Sequence, residues 1–215
     1  MMLRSVFGLV VLLGAGVAAR GWPAVTSLYG LVIGAVWFLF ALFVLNFFRD
    51  PDPRTPGEIG LVVSPAHGTV DVIDEAFEPE FIGGACRRIS IFLSVFDVHV
   101  QNTPVSGEVA YLKHSPGKFL NALKVESALH NENVLIGIQS SEITGEKVAM
   151  RLIAGLIARR ILPWIGKGDE IDRGQRVSMI QFGSRVDCYL PLSFKVRAAL
   201  GDKVRGGETV IATRD

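Results

Sequence analysis

Before Arg49 the chain is almost wholly apolar, whereas after Glu58 short apolar stretches alternate with polar residues and are cut by glycine and proline. Ser5 to Ala19 runs without a charge, and after Arg20-Gly21-Trp22-Pro23 a second apolar run extends from Ala24 to Phe48. A helix crosses a bilayer with about 20 apolar residues, so the second run qualifies outright while the first is short. The turn residues between them predict a transmembrane helical hairpin, and the immediate second run argues against a cleaved signal peptide. Arg4 before the first run, and Arg49 and Arg54 after the second, place both ends of the hairpin in the cytoplasm by the positive-inside tendency. Arg20 in the short loop pulls the other way.

Residues 49–57 hold Asp50-Pro51-Asp52-Pro53-Arg54-Thr55-Pro56-Gly57, a stiff non-helical linker, because each proline pushes its predecessor out of the α region. The pattern therefore divides the chain into a membrane anchor (1–48), a linker (49–57) and a soluble domain (58–215). The domain reads mainly as strands: Leu61 to Ser64, Thr69 to Asp74, Arg88 to Phe96, Glu108 to Lys113, Asn133 to Ser140, Lys147 to Ile153, Arg176 to Phe182 and Arg185 to Leu190. One short helix is expected over Lys118 to Ser127, and Ile157 to Trp164 is apolar without a clear period. Ser64-Pro65-Ala66-His67-Gly68-Thr69-Val70 and Thr103-Pro104-Val105-Ser106-Gly107-Glu108-Val109 share the pattern [ST]-P-x-x-G-x-V. Each copy is a turn feeding a strand; turn chemistry explains it alone, and so does a duplication as in a barrel-sandwich hybrid. Asp202 to Val210 has the look of a lipoyl- or biotinyl-domain turn. The expected fold is mainly β (α+β), a barrel-sandwich-like domain with few short helices behind the anchor.

Composition sharpens this picture in three places. Hydrophobic residues make up 49% of the 215 and mean hydropathy is +0.38, an excess concentrated before Arg49 that points to membrane. Net charge is +1, so no basic field argues for nucleic acid as a partner. The two cysteines, Cys86 and Cys188, show no metal-ligand spacing and form no disulfide framework, so no metal is expected and both read as free thiols in a reducing compartment.

Gly183-Ser184 stands between two strand-like segments. As a bare dipeptide it reads as a tight turn or bulge. It also permits a particular chemistry: glycine allows unusual backbone geometry, and the serine hydroxyl then attacks the preceding carbonyl, turning the amide into an ester. Elimination of that ester leaves dehydroalanine, which hydrolyses to a pyruvoyl group at a new N-terminus.

Phe182-Gly183-Ser184-Arg185-Val186-Asp187 resembles the cleavage motif of the short, archaetidylserine decarboxylase-like class of phosphatidylserine decarboxylase proenzymes. Phe47-Phe48-Arg49-Asp50-Pro51, Ser64-Pro65-Ala66-His67-Gly68, Phe96-Asp97-Val98-His99-Val100, Pro104-Val105-Ser106-Gly107, Pro116-Gly117-Lys118-Phe119 and Gly155 to Arg160 resemble further blocks in the family order, from Phe47 to the C-terminus. The resemblance implies self-cleavage between Gly183 and Ser184, a covalent pyruvoyl cofactor made from Ser184, and two chains held as a heterodimer. It further implies conversion of phosphatidylserine to phosphatidylethanolamine at the inner membrane, with membrane lipid as partner and the catalytic domain facing the cytoplasm. A pyruvoyl carbonyl takes up the headgroup amine and accepts the electron pair left when carbon dioxide departs.

The α-carbon must then be protonated, and His99 is the candidate acid. On a Phe96 to Gln101 strand, Asp97 and His99 would share one face. Lys113, His114, His130, Glu126 and Glu132 read as solvated surface, while Arg87, Arg88, Arg159, Arg160 and Lys118 are candidates for lipid phosphate. The competing function is a membrane-tethered lipoyl- or biotinyl-like module of a carrier or export assembly. Lys203 lacks the methionine neighbour of a carrier lysine, no long helical hairpin follows Glu58, and Gly183-Ser184 would have no purpose.

The chain departs from the family pattern twice. The residue before Gly68 is His67 where the family carries aspartate, and Asn102 stands where longer relatives have a second histidine. In relatives that aspartate and histidine assist the cleaving serine, as in hydrolase triads. Either His67 acts as base on Ser184 with Asp97 or another acid as its orienter, or the missing carboxylate makes maturation slow. The expectation is the second.

Overall fold

A computed structural model describes residues 28–117, 131–142, 145–155, 160–180 and 184–214. The chain forms two compact units, Met1–Arg49 and Asp50–Asp215. In the first, α1 (Leu28–Phe47) is a 20-residue helix with no acidic residue in its first turn and no basic residue in its last. At 1.5 Å per residue it is about 30 Å long, the thickness of a bilayer's hydrocarbon core. Its large side chains, Leu31, Phe38 and Leu39 among them, are exposed. Such a surface suits lipid rather than water. The first run of the expected hairpin, Ser5 to Ala19, lies outside the described residues, and one apolar helix is what stands.

The second unit is mostly β. Its described strands are β1 (Leu61–Val63), β2 (Gly68–Glu78), β3 (Gly84–Leu93), β4 (Val100–Asn102), β5 (Gly107–Ser115), β6 (Asn133–Ser140) and β7 (Lys147–Ala154). They continue as β8 (Ile161–Pro163), β9 (Glu170–Ile171), β10 (Arg176–Ile180), β11 (Ser184–Leu190), β12 (Phe194–Val196), β13 (Lys203–Val204) and β14 (Val210–Arg214). An eight-stranded sheet runs β13-β2-β3-β11-β7-β6-β5-β9, and two three-stranded sheets run β1-β14-β12 and β4-β10-β8. The residues read as linker are tied to this unit, since Arg176 Nε and Nη2 bond Asp50 and Asp52, each at 2.7 Å.

The sheet order is the same from either end. Exchanging β13 with β9, β2 with β5, β3 with β6 and β11 with β7 returns the large sheet to itself and swaps the two small ones. Backbone bonds obey the same exchange. Val63 N donates to Pro104 O at 3.0 Å and Asn102 N to Pro65 O at 2.9 Å. Gly168 N and Gly201 N donate to Val109 O and Val70 O, each at 2.8 Å. The [ST]-P-x-x-G-x-V echo is thus one part of an internal pseudo-dyad. Sequence reading missed two further echoes. Gly168-Asp169-Glu170-Ile171 to Val177 matches Gly201-Asp202-Lys203-Val204 to Val210, and Glu146-Lys147-Val148 matches Ser184-Arg185-Val186, each following a glycine in sequence.

Glycine is required where the echo meets the sheet. A Cβ on Gly68 would overlap the Phe92 carbonyl, and one on Gly107 the Gln139 carbonyl. Beyond them, β11 is buried along its whole length. Val186, Cys188 and Leu190 join the main core, while Tyr189 joins a small cluster with Cys86, Leu135 and Ala149. Successive side chains alternate between the two faces of a strand, so β11 is covered on both. Both cysteines are free and buried, and burial pushes their thiols up.

Several expectations need correction. The strand expected to reach Phe96 ends at Leu93, and residues 95–97 form a turn, because Asp97 Oδ2 accepts bonds from Ser94 N at 2.8 Å and Ser94 Oγ at 2.7 Å. Asp97 and His99 therefore do not share a strand face. Part of the apolar Ile157 to Trp164 segment is β8, and the helix expected over Lys118 to Ser127 lies outside the described residues.

Overpacking against a carbonyl that cannot move should make Gly68→Ala and Gly107→Ala each cost about 1–3 kcal/mol. Gly84→Ala, where a Cβ meets nothing within 4 Å, should stay within about 0.5 kcal/mol. Thermal unfolding of the three variants beside the parent checks this; equal losses at all three would show that close approach is not the constraint.

Candidate active site

Ser184 opens β11 and sits between two strands, paired with Leu93 of β3 and Ala154 of β7. It lies on the core side, in step with Val186 and Cys188, and is fully buried. Its Oγ has no hydrogen-bond partner among the described residues. A buried hydroxyl without a partner forfeits about 1–3 kcal/mol, so such a group calls for an explanation in chemistry or bound solvent. Gly183 lies outside the described residues.

His99 is fully buried just before β4. Its carbonyl accepts a bond from Ile180 N at 3.1 Å, and Leu93 pairs with Ser184. His99 is therefore bonded to the end of β10, and Ser184 is paired with the end of β3. The ring's Nδ1 lies 2.9 Å from Asp97 O. A carbonyl only accepts, so Nδ1 carries the proton, and in the neutral ring Nε2 is the basic nitrogen.

His67 is half-buried and immediately precedes Gly68 at the start of β2. Across the sheet Thr69 pairs with Phe92 and Phe92 with Arg185, so Gly68, Leu93 and Ser184 stand in successive strands of one row. Two strand spacings, roughly 10 Å of backbone, separate His67's end of β2 from β11. His67 and Asn102 meet at Gly206: a Cβ there would lie 2.7 Å from Asn102 Oδ1 and 3.2 Å from His67 Nε2. The two positions at which the sequence departs from the family pattern are thus spatial neighbours. Asn102 Nδ2 donates to Gly174 O at 2.8 Å, which turns Oδ1 toward this point. Asp97 Oδ2 accepts bonds from Ser94 N and Ser94 Oγ.

Beside Ser184, Arg185 is buried and paired with Asp71, its Nη1 donating to Oδ1 at 3.1 Å and its Nη2 to Oδ2. Burial pushes the Asp71 carboxyl up and the Arg185 charge pulls it back. Asp187 is also buried, and burial raises its carboxyl above the usual range while Arg185 and Arg88 oppose the shift. Sequence reading missed both carboxylates: Asp71 is recognisable only once strand register is known.

Arg88 Nε bonds Asp74 at 2.9 Å and Arg87 Nη2 bonds Glu75 at 3.5 Å across the β2–β3 pair. Lys118, Arg159 and His130 lie outside the described residues, and Arg160 is exposed. His114 is exposed and bonds Glu132 at 3.0 Å, in keeping with a solvated surface. Lys203 pairs with Thr69 inside β13 and is not at a hairpin tip, which removes the carrier reading's modified lysine.

Comparison with known proteins places this geometry. The phosphatidylserine decarboxylase family profile matches residues 40–212. A phosphatidylserine decarboxylase proenzyme of Symbiobacterium thermophilum is 45% identical over 204 residues, covering 91% of this chain and 94% of that protein. Proenzymes of the same name from Desulfotalea psychrophila and Syntrophus aciditrophicus are 42% identical over 180 residues (84% and 83% covered) and 39% over 207 residues (96% and 92% covered). A match over most of the domain, including both strands that flank Ser184, leaves one conclusion: the chain belongs to the phosphatidylserine decarboxylase family.

Proposed function

We propose that this chain is a proenzyme that cuts itself between Gly183 and Ser184 and then converts phosphatidylserine to phosphatidylethanolamine through a pyruvoyl group derived from Ser184. The observation that carries the reading is the buried, unpartnered Ser184 Oγ, which follows a glycine at the start of β11. In self-cleavage Ser184 Oγ adds to the Gly183 carbonyl carbon and the C–N bond breaks, leaving an ester and a free amine at residue 184. Loss of the Ser184 α-proton expels the Gly183 carboxylate, and hydrolysis of the dehydroalanine releases ammonia.

The residues present fit such a group. Ser184 is buried, its Oγ has no hydrogen-bond partner among the described residues, and Leu93 and Ala154 hold residue 184 from both sides. When formed, the pyruvoyl group supplies an electron sink for decarboxylation. His99, oriented by Asp97 O, holds a proton at an imidazole nitrogen for delivery to the substrate α-carbon. The apolar α1 supports residence at a membrane, and the Arg49 and Arg54 that follow it support a cytoplasmic domain.

Mass spectrometry of active protein should find two chains, residues 1–183 and 184–215, the smaller with a blocked N-terminus. Ser184→Ala should abolish cleavage and decarboxylation together, because it removes both the nucleophile and the cofactor precursor. Full activity in an intact single chain sinks the reading.

Protein lacking residues 1–48 should be soluble and still cleave itself, and protease added outside intact cells should leave the full-length domain untouched. External digestion would reverse the orientation. A folded but uncut truncation would tie the anchor to processing.

Neither His67 nor Asn102 supplies a carboxylate, so we infer slow maturation, a triad carboxylate being worth up to about 10⁴ in rate. The double exchange His67→Asp with Asn102→His should speed cleavage about tenfold or more, while His67→Ala changes it little. A parent that cleaves promptly and stalls as His67→Ala would make His67 the working base.

A further inference from the structure

The two halves related by the pseudo-dyad carry the same irregularity and differ in one interaction. Register shifts between Val70 and Val72 where β2 pairs with β3, and between Val109 and Tyr111 where β5 pairs with β6. Each is a β-bulge that leaves one residue without a partner on the neighbouring strand: Asp71 in the first half, Ala110 in the second. The bulged Asp71 reaches past β3 and grips Arg185 on β11 with two parallel N–H···O bonds. In the second half the place of Arg185 is taken by Lys147, whose exposed Nζ instead donates to Phe81 O at 3.2 Å. The bulge therefore belongs to the fold, while the ion pair belongs only to the half that contains Ser184.

With Arg185 buried and Asp71 partly exposed, the pair is poor evidence of a stabilising device, because desolvating the guanidinium offsets much of the attraction; the better-attested use of such a pair is to fix register. Register at this place matters for a specific reason. The uncut chain holds Ser184 by covalent bonds on both sides. After a cut at 183/184, residue 184 is a chain end, held only by the last rungs of its ladders to Leu93 and Ala154. Chain ends fray at almost no free-energy cost unless they are tied down. A planar guanidinium held by both oxygens of one carboxylate fixes the next residue in position and orientation.

Resting on the reading of Ser184 as the cleavage site, we propose that the Asp71–Arg185 pair is a positioning clamp for the mature enzyme. It anchors the second residue of the small chain so that the group at residue 184 stays fixed against His99. Arg185 is next to Ser184 along β11 and so lies on the opposite face of the sheet, which makes its role positional. The clamp is dispensable while the chain is continuous and becomes necessary once the chain is cut.

The test copies the second half into the first: Asp71→Ala combined with Arg185→Lys, residues the same bulge already tolerates at Ala110 and Lys147. In full-length protein in detergent micelles, the double variant should fold and cleave. Its kcat on phosphatidylserine should fall about tenfold, as expected for a misplacement under 1 Å, with KM within about twofold of the parent's. Amide exchange at residues 185–187 should quicken in the cut double variant. The same two substitutions in the uncut Ser184→Ala protein should leave exchange unchanged. Arg185→Lys alone, which keeps a cation opposite Asp71, should recover part of kcat. An unchanged kcat, equal quickening of exchange in cut and uncut protein, or failure of the double variant to fold each overturns the clamp. A parent that never appears as two chains overturns the cleavage reading itself, an outcome read without either variant.

Discussion

Two chain segments of the domain bond each other reciprocally through their backbones. Val63 N and Asn102 N each donate to the carbonyl of the other segment's proline, at 3.0 and 2.9 Å, and Gly68 and Gly107 then enter the large sheet pressed against neighbouring carbonyls. This reciprocal crossing fixes where β2 and β5 begin, hence the register of β3 and β6, and through them the position of β11. It also fixes the candidate chemistry. Asn102 belongs to one crossing segment and His67 to the other, and His99 lies three residues before Asn102. The candidate residues thus lie on or close to the two bonded segments.

A duplicated framework has been put to unequal use. Glu146 occupies in one half the place of Ser184 in the other: Ser140 N bonds its carbonyl at 3.0 Å, as Leu93 pairs with Ser184. Glu146 pairs with Arg214 and reaches the domain's edge, whereas Ser184 is buried with an orphaned oxygen. Similar backbone thus gives a conventional surface corner on one side and a desolvated nucleophile on the other. The difference comes from side chains and neighbours and requires no different fold.

Much of this was legible in the residues, for physical reasons that also explain the failures. Asn133–Ser140 was read to the residue because an apolar run of strand length leaves little choice. The strand expected at Phe96 to Gln101 failed because Asp97 turns back onto Ser94, a local side-chain bond that competes with the ladder and leaves no mark in apolar period. The two-residue strands β9 and β13 went unseen, since Glu170-Ile171 and Lys203-Val204 are too short to show a period. Ser184 and His99 were singled out through motif resemblance, and both are fully buried. The nearness of His67 and Asn102 and the reach of Asp71 depend on contacts between residues far apart in sequence, which no single-sequence pattern carries.

The small chain that a cut at 183/184 would create is woven through the whole domain. It would supply the fourth strand of the eight-stranded sheet, that sheet's β13 edge, and two strands of a three-stranded sheet whose remaining strand, β1, lies in the large chain. Two chains so interleaved cannot part without loss of both cores, and the pieces have no independent shape to which they could return. On that reading folding would have to be complete before the bond is broken, and the break would be a one-way commitment. Each cut molecule would inherit its architecture from a precursor that no longer exists, and once melted it would have no route home.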